Sequence, residues 1–267
     1  MTQAYEVTAT FNLKTHPLVV ENDANGSGTV TLTCDDDVVE CEPPCEEFYE
    51  HYTTVTLEAS AHLDSEFLGW DGEGCSGTGT CVVTMTQARQ VTASFKLKTY
   101  PLTVSKDGSG GGTVTSNPAG IHCGDVCSYE YDHHTQVTLT AHEADDSTFI
   151  GWSGAGCSGT GTCVVTMTQA RQVNATFEIK KHSLTVSKSG TGEGVVTSSP
   201  SGIHCGDVCS YEYDHYTEVT LTAHEAVDST FLGWSGEGCS GTGTCVVTMT
   251  QARQVTAEFH FIEDEDP

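Results

Sequence analysis

The sequence predicts an all-β protein arranged as three small tandem modules, and three observations carry that expectation. The tetrapeptide Met-Thr-Gln-Ala recurs at Met1, Met85, Met167 and Met249, spaced 84, 82 and 82 residues apart, and a fixed period of that length marks a repeat array. Apolar and polar residues alternate with period two: Val137, Leu139 and Ala141 interleave with Gln136, Thr138 and Thr140, and Val173, Ala175 and Phe177 with Gln172, Asn174 and Thr176. Such alternation reads as half-buried strands, and helical periodicity is nearly absent. Finally, twelve of the 13 cysteines fall four to a unit, which suits modules so small that an apolar core alone is marginal.

With the closing phenylalanine as boundary, the units run over residues 12–95, 96–177 and 178–259, followed by an acidic tail at 260–267. Residues 1–11 read as the closing strand of a preceding repeat, because MTQAYEVTATF matches MTQARQVTASF at Met85 to Phe95. On that reading the chain is excised from a longer array, and any signal or anchor lies outside it. Within a unit the expectation is about six short strands. Leu102-Thr103-Val104 and Thr113-Val114-Thr115 flank a Gly-rich break from Asp107 to Gly112 that reads as a hairpin, and Ser189 to Gly194 repeats it. Segments such as Lys96 to Pro101 pass straight from one unit's last strand into the next unit's first. Adjacent modules therefore hold a fixed relation, and the array is expected to form a rod.

Lys and Arg total 10 against 37 Asp and Glu, a formal net charge of −27. Phosphate binding draws on clustered cations, so nucleic acid is not an expected partner and adsorption to an anionic membrane surface is disfavoured. No stretch reaches the 18 apolar residues of a membrane-spanning helix, so direct membrane insertion of this segment is not expected.

The ordered elements Leu184-Thr185-Val186, Gly194-Val195-Val196-Thr197, Gly202 to Gly206, Val219 to Ala223, Phe231-Leu232-Gly233-Trp234-Ser235-Gly236, Cys239 to Cys245 and Val255 to Phe259 resemble the divergent B-repeats of the internalin type. These are bacterial repeat domains found in tandem on large secreted and surface proteins. All three units carry the pattern. The resemblance implies a compact β-grasp-like module in an extracellular stalk or adhesin, and implies no catalytic residues. The first unit departs from it between Cys34 and Cys45, where Asp35-Asp36-Asp37 and two extra residues intervene.

Each unit holds two local cysteine pairs: Cys41 with Cys45 and Cys75 with Cys81, Cys123 with Cys127 and Cys157 with Cys163, Cys205 with Cys209 and Cys239 with Cys245. Local disulfides are favoured, since Ser-Gly-Thr-Gly-Thr between Cys157 and Cys163 permits a tight reversal. A tetrathiolate zinc site per unit is the competing reading, with C-x3-C and C-x5-C spacings looser than the usual knuckle. Cys34 has no counterpart; it is read as unpaired, as a competitor for Cys41 or Cys45, or as an intermolecular link.

Histidines recur at His51, His133 and His215 before the Val-Thr-Leu strand and at His62, His142 and His224 after it. They are candidate transition-metal ligands. His133 and His142 are nine residues apart, about 30 Å along a regular strand and on opposite faces, so one unit joins them only through a bend or a partner. His142-Glu143 and His224-Glu225 begin like H-E-x-x-H but lack the second histidine. Acidic loops at Asp35 to Asp37 and Glu143 to Asp146 offer calcium oxygens, yet match neither the EF-hand nor the Gly-Gly-x-Gly-x-Asp loop. Trp70, Trp152 and Trp234 occupy one slot per unit in Phe-x-Gly-Trp and read as core anchors, with sugar stacking as the functional alternative.

The expected function is a non-catalytic, extracellular structural segment: a spacer, adhesin stalk or fibre component that requires no cofactor. The alternative is a repeat binding module for calcium, a transition metal or glycan. Expected partners are neighbouring repeats of the same or a longer chain. A spare copy of the closing strand also raises head-to-tail association of the chain with itself.

Overall fold

The computed structural model describes residues 3–262. It contains 24 strands and, among the described residues, no helix. In the first repeat these are β1 (Thr15–Glu21), β2 (Gly28–Cys34), β3 (Asp37–Cys41), β4 (Cys45–Glu50), β5 (Thr54–Ala61), β6 (Ser65–Asp71), β7 (Cys81–Thr84) and β8 (Arg89–Leu97). The series recurs as β9 (Thr99–Asp107) to β16 (Arg171–Ile179) and as β17 (Lys181–Ser189) to β24 (Arg253–Phe261). In the later repeats six strands span five residues or more, as the alternation suggests. Two are shorter: in the third repeat, β19 (His204–Cys205) and β23 (Cys245–Thr248).

The chain divides into two compact units, one holding residues 1–102, 130–135 and 166–170 and the other the remainder. In the first, two four-stranded sheets have the orders β4-β1-β8-β6 and β3-β2-β5-β7. In the second, the third repeat has the same two orders, β20-β17-β24-β22 and β19-β18-β21-β23, formed with β18 (Gly194–Ser199), β20 (Ser210–Asp214), β21 (Glu218–Glu225) and β22 (Ser229–Ser235). One sheet is mixed, because β17 runs parallel to β24 while its other pairings are antiparallel. The core lies between the sheets: Leu184, Val186, Val255, Ala257 and Phe259 of one meet Val196, Val219, Leu221 and Val247 of the other. Where a β-grasp covers its mixed sheet with a helix, this module covers it with a second sheet. Both sheets therefore alternate inward apolar with outward polar residues, the pattern of a sandwich.

The closing strand is interior, bonded on both sides. β8 pairs in parallel with β1 and antiparallel with β6, and its Val91, Ala93 and Phe95 are fully buried. The Gly-rich break differs from the expected hairpin. β17 and β18 on its two sides belong to different sheets, so the break is a crossover that arches over the closing strand. Gly192 donates its N–H to the Phe259 carbonyl at 2.9 Å, as Gly110 does to Phe177. A Cβ on Gly194 would fall 2.2 Å from the Phe259 ring. Glycine is needed there because a strand passes directly beneath the segment, which local sequence does not reveal.

The Met-Thr-Gln-Ala fingerprint also has a structural cause. Met85 and Met249 are fully buried, and their carbonyls accept the N–H of Tyr52 and Tyr216 at 2.9 Å. Those tyrosines occupy left-handed backbone conformations, with φ of 74° and 66°. Each fingerprint thus ties down the turn that follows β4 or β20. Residues 3–14, although a sequence copy of the closing strand, form no strand, and Tyr5, Val7, Phe11 and Leu13 are exposed. Of the acidic tail, residues 263–267 lie outside the described residues.

Candidate functional site

The sulfurs are joined in six short-range disulfides, Cys41–Cys45, Cys75–Cys81, Cys123–Cys127, Cys157–Cys163, Cys205–Cys209 and Cys239–Cys245, with Cα separations of 4.2 to 6.2 Å. Cys41 ends β3 and Cys45 begins β4, in different sheets, so this bond staples the two layers where the chain crosses. Cys81 opens β7 and holds the glycine loop beside Trp70. Trp70, Trp152 and Trp234 are 4 to 5% exposed, and their indole N–H groups donate to the carbonyls of Gly79, Gly161 and Gly243 at 2.6 to 2.7 Å. With the rings covered, they present no platform to a sugar.

Cys34 is free and half-buried at the end of β2. Burial pushes its thiol pKa up, and the carboxylates of Asp35, Asp37 and Glu50 push it further. It lines a cleft of about 490 Å3 with Val38, Glu47, Phe48 and Tyr49. The Tyr49 hydroxyl is buried without a hydrogen-bond partner; burial first, then Glu47 and Cys34, push its pKa up to about 12. In the third repeat Tyr213 shares a 2.7 Å hydrogen bond with Ser198. Strand register puts Leu32 in the place of Ser198, so the first repeat lacks that hydroxyl partner.

The histidines require a correction. Register places Ser60 opposite Thr29, His142 opposite Thr113 and His224 opposite Val195. Ser60 therefore fills the slot of His142 and His224, and His62 lies two residues beyond it. The later pair bonds to one threonine each, His142 to Thr115 at 3.0 Å and His224 to Thr197 at 2.9 Å, whereas His62 contacts Ser27 at 3.0 Å and Thr29 at 3.4 Å. His62 and His133 instead line one cleft of about 650 Å3, together with Ala61, Leu63, Asp64 and His134. The Ser65 hydroxyl holds the Asp64 carboxyl below its usual range, and the two histidines lower it further. Among the described residues, no three His, Cys, Asp or Glu converge as a metal site.

Sequence reasoning missed the true partners of His51 and His215. These are His16 and His182, early in β1 and β17, whose Nε2 atoms lie 3.0 and 2.7 Å from the Nδ1 of His51 and His215. Burial, followed by Lys14 and His51, lowers the His16 pKa. In the second repeat the slot holds Tyr100, whose ring meets His133 edge-on at 5.6 Å, and His133 Nδ1 is buried and unpartnered. The signal was present as KTHPL, KTYPL and KKHSL in one register, but at 33 to 35 residues from its partner no local spacing rule joins it.

Successive repeats are wired through one lysine at each described junction. The Lys98 N–H donates to the Asp64 carbonyl of the first repeat at 2.9 Å, its own carbonyl accepts the His133 N–H of the second at 2.8 Å, and its Nζ donates to Leu63 O at 2.7 Å. Lys180 does the same between Asp146 and His215, with Nζ on Asp145 O at 2.9 Å.

Repetition, a two-sheet core in the first and third copies and backbone-wired junctions define a tandem-repeat β-protein. The sequence profile of the divergent InlB B-repeat domain matches residues 18–99, 100–181 and 184–263, and the chain belongs to that family. No curated protein matches it in sequence. Among solved structures it is similar to the Bacillus anthracis TIE protein, at 5% identity and a TM-score of 0.56 over 95% of this chain and 51% of that one. Weaker matches are the open form of the pilus adhesin SpaC from Lactobacillus rhamnosus GG (8% identity, TM-score 0.29, 96% of this chain and 44% of that one) and two B repeat units of the Staphylococcus aureus collagen-binding protein (11%, 0.23, 93% and 74%). The chain spans about half the length of the first two. At 5% identity the likeness to the first of these speaks to fold alone.

Proposed function

We propose that this chain is a non-catalytic, extracellular structural segment, acting as a spacer, adhesin stalk or fibre component. The observation that carries the reading is the lysine junction. Lys98 and Lys180 each spend both backbone groups and the ammonium on hydrogen bonds to residues of the two flanking repeats, so the connecting residue is bonded backbone and not a free linker. Six disulfides support an oxidising location outside the reducing cytosol. The acidic surface favours solubility through self-repulsion.

Pulling single molecules of the chain from both ends tests the load-bearing role. The expected trace has three unfolding events, each releasing a length close to one extended repeat, about 28 nm. Extension at low force without discrete events would overturn the reading, because a stalk must hold its modules folded under load.

A further inference from the structure

We propose that the hydrogen-bonded imidazoles His16–His51 and His182–His215 are acid-sensitive latches that fasten the first strand of the first and third repeats, and that the second repeat, which lacks one, is the acid-tolerant module of the array. In each pair Nε2 of the first ring faces Nδ1 of the second, at 3.0 and 2.7 Å. The first ring belongs to β1 or β17. The second follows β4 or β20, in the turn that Met85 or Met249 ties down through Tyr52 or Tyr216. His51 and His215 also donate their backbone N–H to the carbonyls of Lys14 and Lys180, at 2.7 and 2.8 Å, so each latch closes on the residues by which the chain enters its repeat.

The bond between the rings tolerates one added proton and not two. Two neutral imidazoles hold one proton between the facing nitrogens and one on an outer nitrogen. A first added proton goes to the other outer nitrogen and leaves the bond intact. A second has only the accepting nitrogen of the bond to go to, which sets two N–H groups and two charges against each other. In the unfolded chain both rings take up protons freely at about pH 6.5. Below that pH the unfolded chain therefore binds more protons than the folded pair, and the stability that the latch contributes, complete above about pH 6.5, declines as the pH falls. Burial, then Lys14, then His51 lower the His16 pKa, which acts in the same direction.

The histidines stand cross-strand from Tyr49 and Tyr213, and Tyr52 and Tyr216 pack on the second rings at 4.0 and 4.1 Å. Lys14 opposes further charge on His16. Glu50, Glu212 and Asp214 lie one residue out of register with His16 or His182 and so point to the opposite face of the sheet, where Asp214 pairs with Lys181 at 2.8 Å. β8 and β24 begin their pairing two residues further on, at Arg89 and Arg253, whose guanidiniums are engaged by Glu73 and Glu237. From the preceding repeat, Asp146 holds Lys180 through its carbonyl. The second repeat supplies a natural control. Tyr100 fills the slot of His16 and His182, its ring edge-on to His133 at 5.6 Å, so His133 has no imidazole there with which to share a proton. Its other ring neighbour, His134, is exposed, so a charge on it is solvated, and the Asp64 carboxylate acts on His133 with the opposite sign.

The test is amide hydrogen exchange of the full chain at about pH 7.5 and about pH 5, either side of the histidine range, read by mass spectrometry and corrected for the intrinsic exchange rate at each pH. On acidification β1 and β17 lose about three- to tenfold in protection, the weight of one hydrogen bond, and β9 keeps its own. His182→Tyr removes the pH effect from β17 and leaves it in β1; the second repeat already carries tyrosine in that slot. Tyr100→His gives β9 the loss seen in the other two. Equal loss in all three strands, or none in β1 and β17, would overturn the proposal, as would a Tyr100→His chain whose β9 is as protected at the lower pH as before.

Discussion

At the scale of residues, the three tryptophans that the sequence offers as core anchors are 4 to 5% exposed, and their contribution to stability can be measured. Trp234 is 4% exposed, its N–H is satisfied by Gly243, and its ring stands edge-on to Phe231 at 4.9 Å. Trp234→Ala removes this packing and orphans the Gly243 carbonyl. The expected loss is about 3–5 kcal/mol, read as a lower urea midpoint for the third repeat by circular dichroism. A midpoint equal to that of an exposed-site control such as Val227→Ala would contradict the assignment. Anchor positions were legible because a lone large aromatic in a fixed slot has few other uses. The histidine pairs were not, since their partners are set by strand register between β1 and the turn after β4, which no spacing within one strand encodes.

At the scale of elements, the closing strand organises each repeat, and the crossover glycines are its complement. Alternation of Val255, Ala257 and Phe259 made the strand visible in the sequence, but its interior position was hidden: period two shows one buried face and says nothing about which edges are bonded. The same blindness turned a crossover into an apparent hairpin, because glycine clusters look alike whether they reverse the chain or clear a strand beneath them. Substitution separates these causes. Gly190 has φ of +92° and a Cβ there would sit 2.0 Å from the Phe259 carbonyl oxygen, whereas Gly238 has φ of +81° with open space around it. Gly238→Ala carries only the left-handed backbone cost of about 1–2 kcal/mol. Gly190→Ala adds displacement of the closing strand, a further loss of about 1–3 kcal/mol by analogy with overpacked cores. Equal urea midpoints for the two variants would show that the crossover is free to move off the strand.

At the scale of the whole molecule, the spare copy of the closing strand raised the expectation of head-to-tail association. In the described repeats with resolved pairing, β8 and β24 already fill the position that such a strand would take. Residues 3–11 make no strand pairing and their apolar side chains are exposed. Deleting residues 1–11 is therefore expected to leave the thermal midpoint of the chain unchanged within about 1 °C, a small shift on the scale of one kcal/mol per 4–8 °C for domains of this size. A larger drop by calorimetry would mean that the segment contributes to the folded chain. Because each repeat's interior strand is also the last to be synthesised, a repeat growing from its N-terminus cannot close its mixed sheet until that strand has emerged. Near-identical strands, Arg89–Leu97, Arg171–Ile179 and Arg253–Phe261, would be interchangeable if all three bodies waited open together. Emergence in order lets each body take its own copy before the next exists, so the direction of synthesis itself guards this array against exchanging strands between neighbours.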